Sequence, residues 1–551
     1  MVERTHHSGL FVTGSDAVFS GSVVRDVEPD GTGSFGRGIA VQPGPETNER
    51  ANVQVIASVI ERAHDAGVYV SGSDVELVGT VVRDVQPGKA GSAGRGVSVQ
   101  ADPQTNERSS LQLITSVIER AREIGVNIAG SDAVLSGVVV RDILPEEGTG
   151  WDGRGLQIQD DAATNERATV RVTASVVERT HDTGVVIAGA DAELSGVVVR
   201  DIVGDILPDG SEQFGRGIQI IHHSDTNQRA SVQVTASMVE RIRDVGVLVH
   251  NSDAQLVGVV VRDVLPNEAG LFGGGVAIQN DTPSNGRSNV RVTASLVERA
   301  HTAGVFVKGS SVEIAGVVVR DVLSNGAGLF GDGIFIRDDI ETNERSNVQI
   351  TASVVERARE VGVFVAGSDV EIMAVVVRDI LPNGAGLNGE GVYISKDVDT
   401  NERAAVNILA SLIERNNLAG VVVVESQATI EGSIVQGTSA NEQGQFGDGI
   451  VVLPDGSPSQ VAITGTIVDS NARAGLVSFG APVRFSGTVL SCNAFDLQGE
   501  VYDGSPFSFP DSHDNICGCP ATADACNAVS VGLSAPAPLE DLPGSAAPSE
   551  P

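Results

Sequence analysis

Aromatic residues are scarce in this chain: one Trp, three Tyr and fifteen Phe, 3% of 551 residues. A globular chain of this length would divide into domains with aromatic-rich cores, so thick cores of that kind are not expected. Basic side chains are also few, 37 Lys and Arg against 72 Asp and Glu, for a formal charge of −35. Such a surface repels phosphate and argues against nucleic acid as a partner. It favours solubility and can attract cations or a basic partner. No apolar run reaches the length of a transmembrane helix. No signal peptide is visible, because Met1-Val2-Glu3-Arg4 already matches Val59-Ile60-Glu61-Arg62 further on, and the chain is expected to continue upstream. The four cysteines, Cys492, Cys517, Cys519 and Cys526, sit together near the C-terminus. That grouping predicts a disulfide-stapled cap in an oxidising compartment, with the pairing open. A four-thiolate metal site is the weaker alternative, because Cys517-Gly-Cys519 lacks the two-residue gap usual in zinc knuckles.

What the chain has in abundance is repetition, with 65 glycines setting the beat. The stretch from Val59 to Ser116 returns at Val117 after 58 residues, and copies start near Met1, Val176, Met238, Leu296, Val354 and Leu412. A period in this range signals a solenoid, in which each coil packs on its neighbours and thin stacks of Val, Ile, Leu and Ala suffice. Each unit splits into two halves. Both open on Gly followed by an apolar-x-apolar triplet, as at Gly67-Val-Tyr-Val and Gly96-Val-Ser-Val, 29 residues apart. Seventeen such glycines run from Gly9 to Gly475. Each coil reads as three short strands, with Val68 and Val70 inward and Tyr69 and Ser71 outward, separated by Gly, Asp and Pro turn signals.

With its core coil of about 22 residues, its Gly-apolar-x-apolar opening and one strand-and-turn set per coil, the chain resembles the right-handed parallel β-helix proteins of the pectate-lyase-like superfamily, in a bacterial-type form. The expected fold is therefore all-β, a right-handed parallel β-helix solenoid of about 17 coils. The expected division is a β-helix over 1–490, a Cys-containing cap over 491–530 and a disordered Pro/Ala-rich tail over 531–551. The resemblance fixes architecture rather than chemistry, because that superfamily holds lyases, hydrolases and adhesins.

Three patterns repeat along the coils. Odd coils end in Arg-Asp, as at Arg83-Asp84, where even coils carry Glu-Arg, as at Glu61-Arg62 and Glu119-Arg120. Stacked in register, these form alternating columns of opposite charge that penalise a slipped coil. Even coils also carry an inserted Thr-Asn-Glu-Arg, as at Thr105 to Arg108, whose Asn is expected to close its own turn. Between the loop rows lies one face of the first strands. Its candidate ligand contacts are Gln42, Tyr69, Gln100, Gln157, Gln159, Gln219, Gln279, Phe335, Arg337 and Tyr393. Amide groups and exposed rings suit sugars, through hydrogen bonds and stacking. Just before the Gly of even coils, Arg37, Arg95, Arg154 and Arg216 give way to Gly274, Asp332, Glu390 and Asp448.

Support for catalysis in the sequence is thin. Gly-His-Gly and Arg-Ile-Lys, which a polygalacturonase-like site would show, are both missing. Only Ile221-His222-His223-Ser224-Asp225 and Arg337-Asp338-Asp339 disturb the repeat. An enzyme should interrupt regularity to build a unique site, and near-identical repeats favour a multivalent surface instead. The expectation is a non-catalytic scaffold, secreted, periplasmic or on the cell surface, binding polysaccharide or a cell-surface glycan. It includes no cofactor and no metal. The alternative is a polysaccharide lyase or glycoside hydrolase.

Overall fold

Val97, Val126, Leu156 and Val185 lie opposite one another on successive parallel strands, each fully buried. This is the inward column of the first sheet. The computed structural model describes residues 1–539 apart from 89–93, 147–149, 151, 205–213, 268, 285, 455, 457–458, 511, 520–524 and 537–538. They form two compact units, Met1–Glu268 and Ala269–Pro551. Each is built from three parallel sheets, and the described residues contain no helix. The fold is a right-handed parallel β-helix of about 17 coils with a disulfide-bonded C-terminal segment. No helix is long and apolar enough to cross a membrane.

In the first unit every coil contributes one strand to each sheet. Gly94–Gln100 lies between Asp65–Ser71 and Ile124–Ala129, Ser110–Ile114 between Asp74–Val78 and Asp132–Ser136, and Val81–Arg83 between Val59–Ala63 and Val117–Glu119. Side chains alternate, so Leu111 and Leu113 are buried while Gln112 between them faces out. The recurrent Gly is required by close approach rather than by its backbone angle. A Cβ on Gly96 would stand 2.4 Å from Ile118 Cγ2 and 2.5 Å from the Gly125 carbonyl. That space does not exist between successive coils.

The charge columns form, with a polarity that the sequence pattern alone does not show. The Glu accepts from the Arg of the following coil, as Glu61 Oε2 does from Arg83 Nη2 at 2.6 Å, except that Glu414 takes Gln436 Nε2 at 3.0 Å. Each even-coil Arg reaches back to the preceding Asp, as Arg62 Nε does to Asp26 at 2.6 Å. Arg62 and Asp84 take left-handed backbone angles, φ 52° and 57°, where the chain turns the corner. In the inserted loops Asn48, Asn106 and Asn165 are left-handed too, at φ 55–59°, a conformation Asn tolerates. The loop copies, 58 residues apart, are bridged by their Arg: Arg50 Nη1 donates to the Arg108 carbonyl at 2.7 Å.

The second unit repeats this scheme and ends differently. Cys492 pairs with Cys519 and Cys517 with Cys526; such disulfides are those of an extracytoplasmic protein. Val529 bridges to Gln498 in parallel and prolongs the first sheet by one step. Composition alone assigns residues from 531 to a disordered tail, yet Val531 to Ser534 and Leu539 make defined contacts, described below. Residues 540–551 lie outside the described residues.

Candidate functional site

The outward face of the first sheet differs between the two units. In the first it is mixed, with Ala40, Val186 and Leu248 in the same column as Tyr69, Gln157 and Gln219. Gln100, Asn127, Gln157 and Gln159 line a groove of about 340 Å³ together with Arg95 and Asp161. Gln157 Nε2 donates to Gln159 Oε1 at 2.6 Å, and Gln157 Oε1 accepts from Arg154 Nη1 at 3.1 Å. Tyr69 carries the Arg37 guanidinium 3.4 Å above its ring, a cation–π contact. Gln42 is half-buried, and Gln219 lies 3.5 Å from the Thr183 hydroxyl. The structure thus gathers Gln100, Gln157 and Gln159 into one groove.

In the second unit the same column is apolar. Phe306, Phe335, Phe364 and Tyr393 stack on consecutive coils, centroids 5.6, 4.7 and 5.5 Å apart. Val422, Val451 and Val477 continue the column. The expectation of solvent-facing contacts is corrected for Gln279, Phe335, Arg337 and Tyr393, each 6% exposed or less. Arg337 donates to Asp397 Oδ2 at 2.7 Å and Asp399 Oδ2 at 3.3 Å. Leu533, Ala535 and Leu539 of the C-terminal segment pack against the apolar cluster to which Phe335, Phe364 and Tyr393 belong.

Charge changes at the start of these strands. In the first unit the Arg before each even-coil Gly pairs with an acid of the next coil: Arg37 with Asp65, Arg95 with Glu123 and Arg154 with Asp182, each at 2.8 Å. Arg216 and Asp244 repeat the pair at 3.5 Å. In the second unit both columns change together. The even-coil positions become Asp332, Glu390 and Asp448, and the odd-coil positions Thr302, Glu360, Leu418 and Arg473. Asp448 recovers a partner in Arg473, whose Nε lies 2.8 Å away. Asp332, Glu360 and Glu390 have no ion pair among the described residues, although all three are buried.

A buried carboxylate without a counter-charge takes up a proton. Burial pushes Glu390 up to about 8 and raises Asp332 well above the usual carboxylate range, with the Glu360 charge adding to both. Glu360 is also raised by burial, but amide hydrogen bonds from Asn388 at 2.7 Å and Asn383 at 3.3 Å favour its ionised form. One oxygen of each, Asp332 Oδ1, Glu360 Oε2 and Glu390 Oε2, meets no hydrogen-bond partner among the described residues. Three adjacent coils therefore each combine a carboxyl with an aromatic ring three or four residues further on: Asp332 with Phe335, Glu360 with Phe364, Glu390 with Tyr393. At about 3.3 Å per strand residue, ring and carboxyl stand roughly 10 Å apart along the strand. Such a row can donate and accept protons beside a stacking platform.

The two places where the sequence disturbs its repeat are packed differently. Asp338 is held by the Thr400 hydroxyl at 2.6 Å and is pushed up to about 7 by burial, with the neighbouring Asp397 carboxylate adding to the shift. His223 Nδ1 lies 3.3 Å from Asp160 Oδ1, and the His222 and His250 rings stand 5.6 Å apart. Asp338 and Asp160 tie one inserted loop to the next. The carboxyl row is legible only when the two columns flanking the strand are read together, because a lost Arg matters only where its acid remains.

No protein-family model and no curated protein sequence matches the chain. Solved structures do. It is similar to the periplasmic alginate epimerase AlgG at 13% identity over 71% of this chain and 77% of that one, TM-score 0.36. It is similar to the pectate lyase Pel9A at 10% identity over 60% and 70%, TM-score 0.28. A mannuronic acid specific polysaccharide family 6 lyase from human gut microbiota matches at 8% identity over 81% and 86%, TM-score 0.27. These are pectate-lyase-like parallel β-helix proteins, and the likeness is one of fold. They are an epimerase and two lyases, and the expectation that the chain is not an enzyme is corrected. The physical ground for that expectation, unbroken repetition, fails at Asp332, Glu360 and Glu390.

Proposed function

We propose that the protein is an extracytoplasmic enzyme, secreted, periplasmic or held at the cell surface, that cleaves the glycosidic bonds of a neutral polysaccharide on the first-sheet face of its second unit. Glu390 is the proton donor, because burial keeps it protonated at neutral pH. Glu360 is the base, because two amide donors favour its carboxylate. In the reaction Glu390 gives its proton to the glycosidic oxygen as the bond to the anomeric carbon breaks. Glu360 takes a proton from the water whose oxygen attacks that carbon. The stacked Phe335, Phe364 and Tyr393 are a platform for sugar rings, and the Gln-lined groove of the first unit is a second polar stretch for the same class of ligand.

The single observation that carries this reading is that the Arg–acid pair is missing at three successive positions of the second unit, before Asp448 and Arg473 restore it, which leaves three buried, unpaired carboxyls beside an aromatic ladder. Neutral sugar is preferred because an acidic sugar would meet like charge, both at the Glu360 carboxylate and across a chain of charge −35. The test is a panel of neutral and uronate polysaccharides, assayed for new reducing ends and for the ultraviolet absorbance of unsaturated products. Reducing ends from a neutral polymer without that absorbance support the reading. Unsaturated products from a uronate would reassign the row to elimination chemistry.

A further inference from the structure

The apolar half of this face is covered by the chain itself. From Val529 the C-terminal segment runs back over strands it has already passed. The Glu500 carboxylate anchors it, accepting from the backbone N–H groups of Val531, Gly532 and Leu533 at 2.9, 2.7 and 3.0 Å and from the Ser530 hydroxyl at 2.7 Å. Arg473, fixed by Asp448, donates to the Ser534 carbonyl at 3.1 Å. Leu533, Ala535 and Leu539 then lie on the apolar column, and the Leu539 N–H donates to the Tyr393 hydroxyl at 3.1 Å. Between Glu500 and Tyr393 the segment crosses four strand spacings, about 19 Å at the usual 4.8 Å. It follows the axis along which the rings are stacked.

We infer that the C-terminal segment, through Leu533, Ala535 and Leu539, is a built-in competitor for the aromatic ladder that the sugar chain must reach, so that its displacement or removal opens the site. The inference rests on the function proposed above. Two features separate this strap from an ordinary terminal cap. It is tethered mainly at its start, by a carboxylate and backbone N–H groups, while its far end is held on the ladder by small apolar contacts and one hydrogen bond. Its Leu539 also lies against Tyr393, beside the Glu390 strand start, rather than on the last coil whose edge needs covering. Acid does not release the anchor, because the hydrogen bonds to Glu500 hold its carboxyl down at about 2. Proteolysis or competition by a long sugar chain does.

The experiment compares the full chain with a chain ending at Gly532, which keeps most of the Glu500 anchor, and with Leu539→Asp, which leaves the chain length intact. Two readouts are used. Nitration of Tyr393 by tetranitromethane, located by mass spectrometry, reports exposure of the ladder without reference to any sugar. KM and kcat on neutral hexasaccharides of β-linked glucose, xylose and mannose report the site. The expected result is at least tenfold faster nitration of Tyr393 and at least tenfold lower KM in both variants, with kcat changed much less. Unchanged nitration overturns the strap. So does faster nitration with an unchanged KM on a sugar that is turned over, and that outcome leaves the proposed function standing. If nitration rises and no hexasaccharide is bound or cleaved by any form, the proposed function falls and the competitor role falls with it.

Discussion

Arg83 donates from both Nε and Nη2 to a single oxygen of Glu61, at 2.9 and 2.6 Å, across two adjacent coils 22 residues apart in the chain. The other Glu61 oxygen takes Arg62 at 2.8 Å. Glu61 is buried, whereas Arg83 is partly exposed. The arrangement recurs at Glu119, Glu178, Glu240 and Glu298. Removing the acid strands two cations, while removing one Arg leaves the acid a partner.

Glu61→Gln is therefore expected to destabilise by about 1–2 kcal/mol, and Arg83→Gln by no more than about 1 kcal/mol, in the range for partly exposed charged hydrogen bonds. Urea unfolding of the two variants checks the order. The Arg partners hold this family of Glu carboxyls below their usual range. Their stabilisation is present above about pH 4.5, the ordinary Glu value, and is lost as pH falls through the lowered folded values.

Gly96→Ala is expected to be among the most damaging single changes, because its Cβ would fall 2.5 Å from a backbone carbonyl that cannot move away. Overpacking of this kind costs roughly 1–3 kcal/mol and more where backbone is involved. Gly79→Ala is the contrast. Nothing lies within 4 Å of a Cβ there, and only its φ of +57° opposes the change, at about 1–2 kcal/mol. Thermal unfolding in which Gly79→Ala is the worse of the two would count against close coil approach as the reason for the recurrent Gly.

The carboxyl row has the opposite pH signature from the Glu columns. A buried acid raised in the folded state holds a proton that the unfolded chain releases, so its contribution declines as pH rises from the unfolded value, near 4.5, to the folded one. For Glu390 that window ends at about 8. Glu390→Gln should leave stability unchanged near pH 4 and raise it by pH 9. Thermal melts of parent and variant across this range check it, and parallel pH curves would refute the assignment.

Breaking the Cys517–Cys526 and Cys492–Cys519 bridges should loosen the C-terminal segment before the coils. Each disulfide is expected to contribute about 2–4 kcal/mol. Hydrogen exchange with and without reductant should show protection lost first beyond Val489. Uniform loss along the chain would contradict this.

Most of the fold was legible in the sequence because a solenoid writes its geometry as a period. Gly67, Gly96 and Gly125 mark the coils, Val68 and Val70 mark the inward side, and Glu61 and Arg83 mark the register. The site was less legible. Phe335 and Tyr393 are marked as outward by alternation, which says nothing about what lies on top of them, and Leu533 and Leu539 belong to no repeat. The change from Arg216 to Asp332 is visible in one column. Its consequence appears only when Asp244 and Glu360 are read as the partners across the coil, a relation that depends on three-dimensional pairing. The Pro/Ala-rich composition of the last residues predicts disorder, because it cannot report that Glu500 presents a carboxylate to three successive N–H groups.

The most direct test of the account is reducing-sugar release from a neutral polysaccharide by the chain ending at Gly532, with and without Glu390→Gln. Loss of a general acid typically costs 10²–10⁴ in rate, so the variant should fall by at least about a hundredfold in kcat. The parent rate should also decline as pH rises through about 8. A variant that retains the parent rate, or a parent rate flat through that pH, would contradict the claim that the unpaired carboxyl row performs the chemistry.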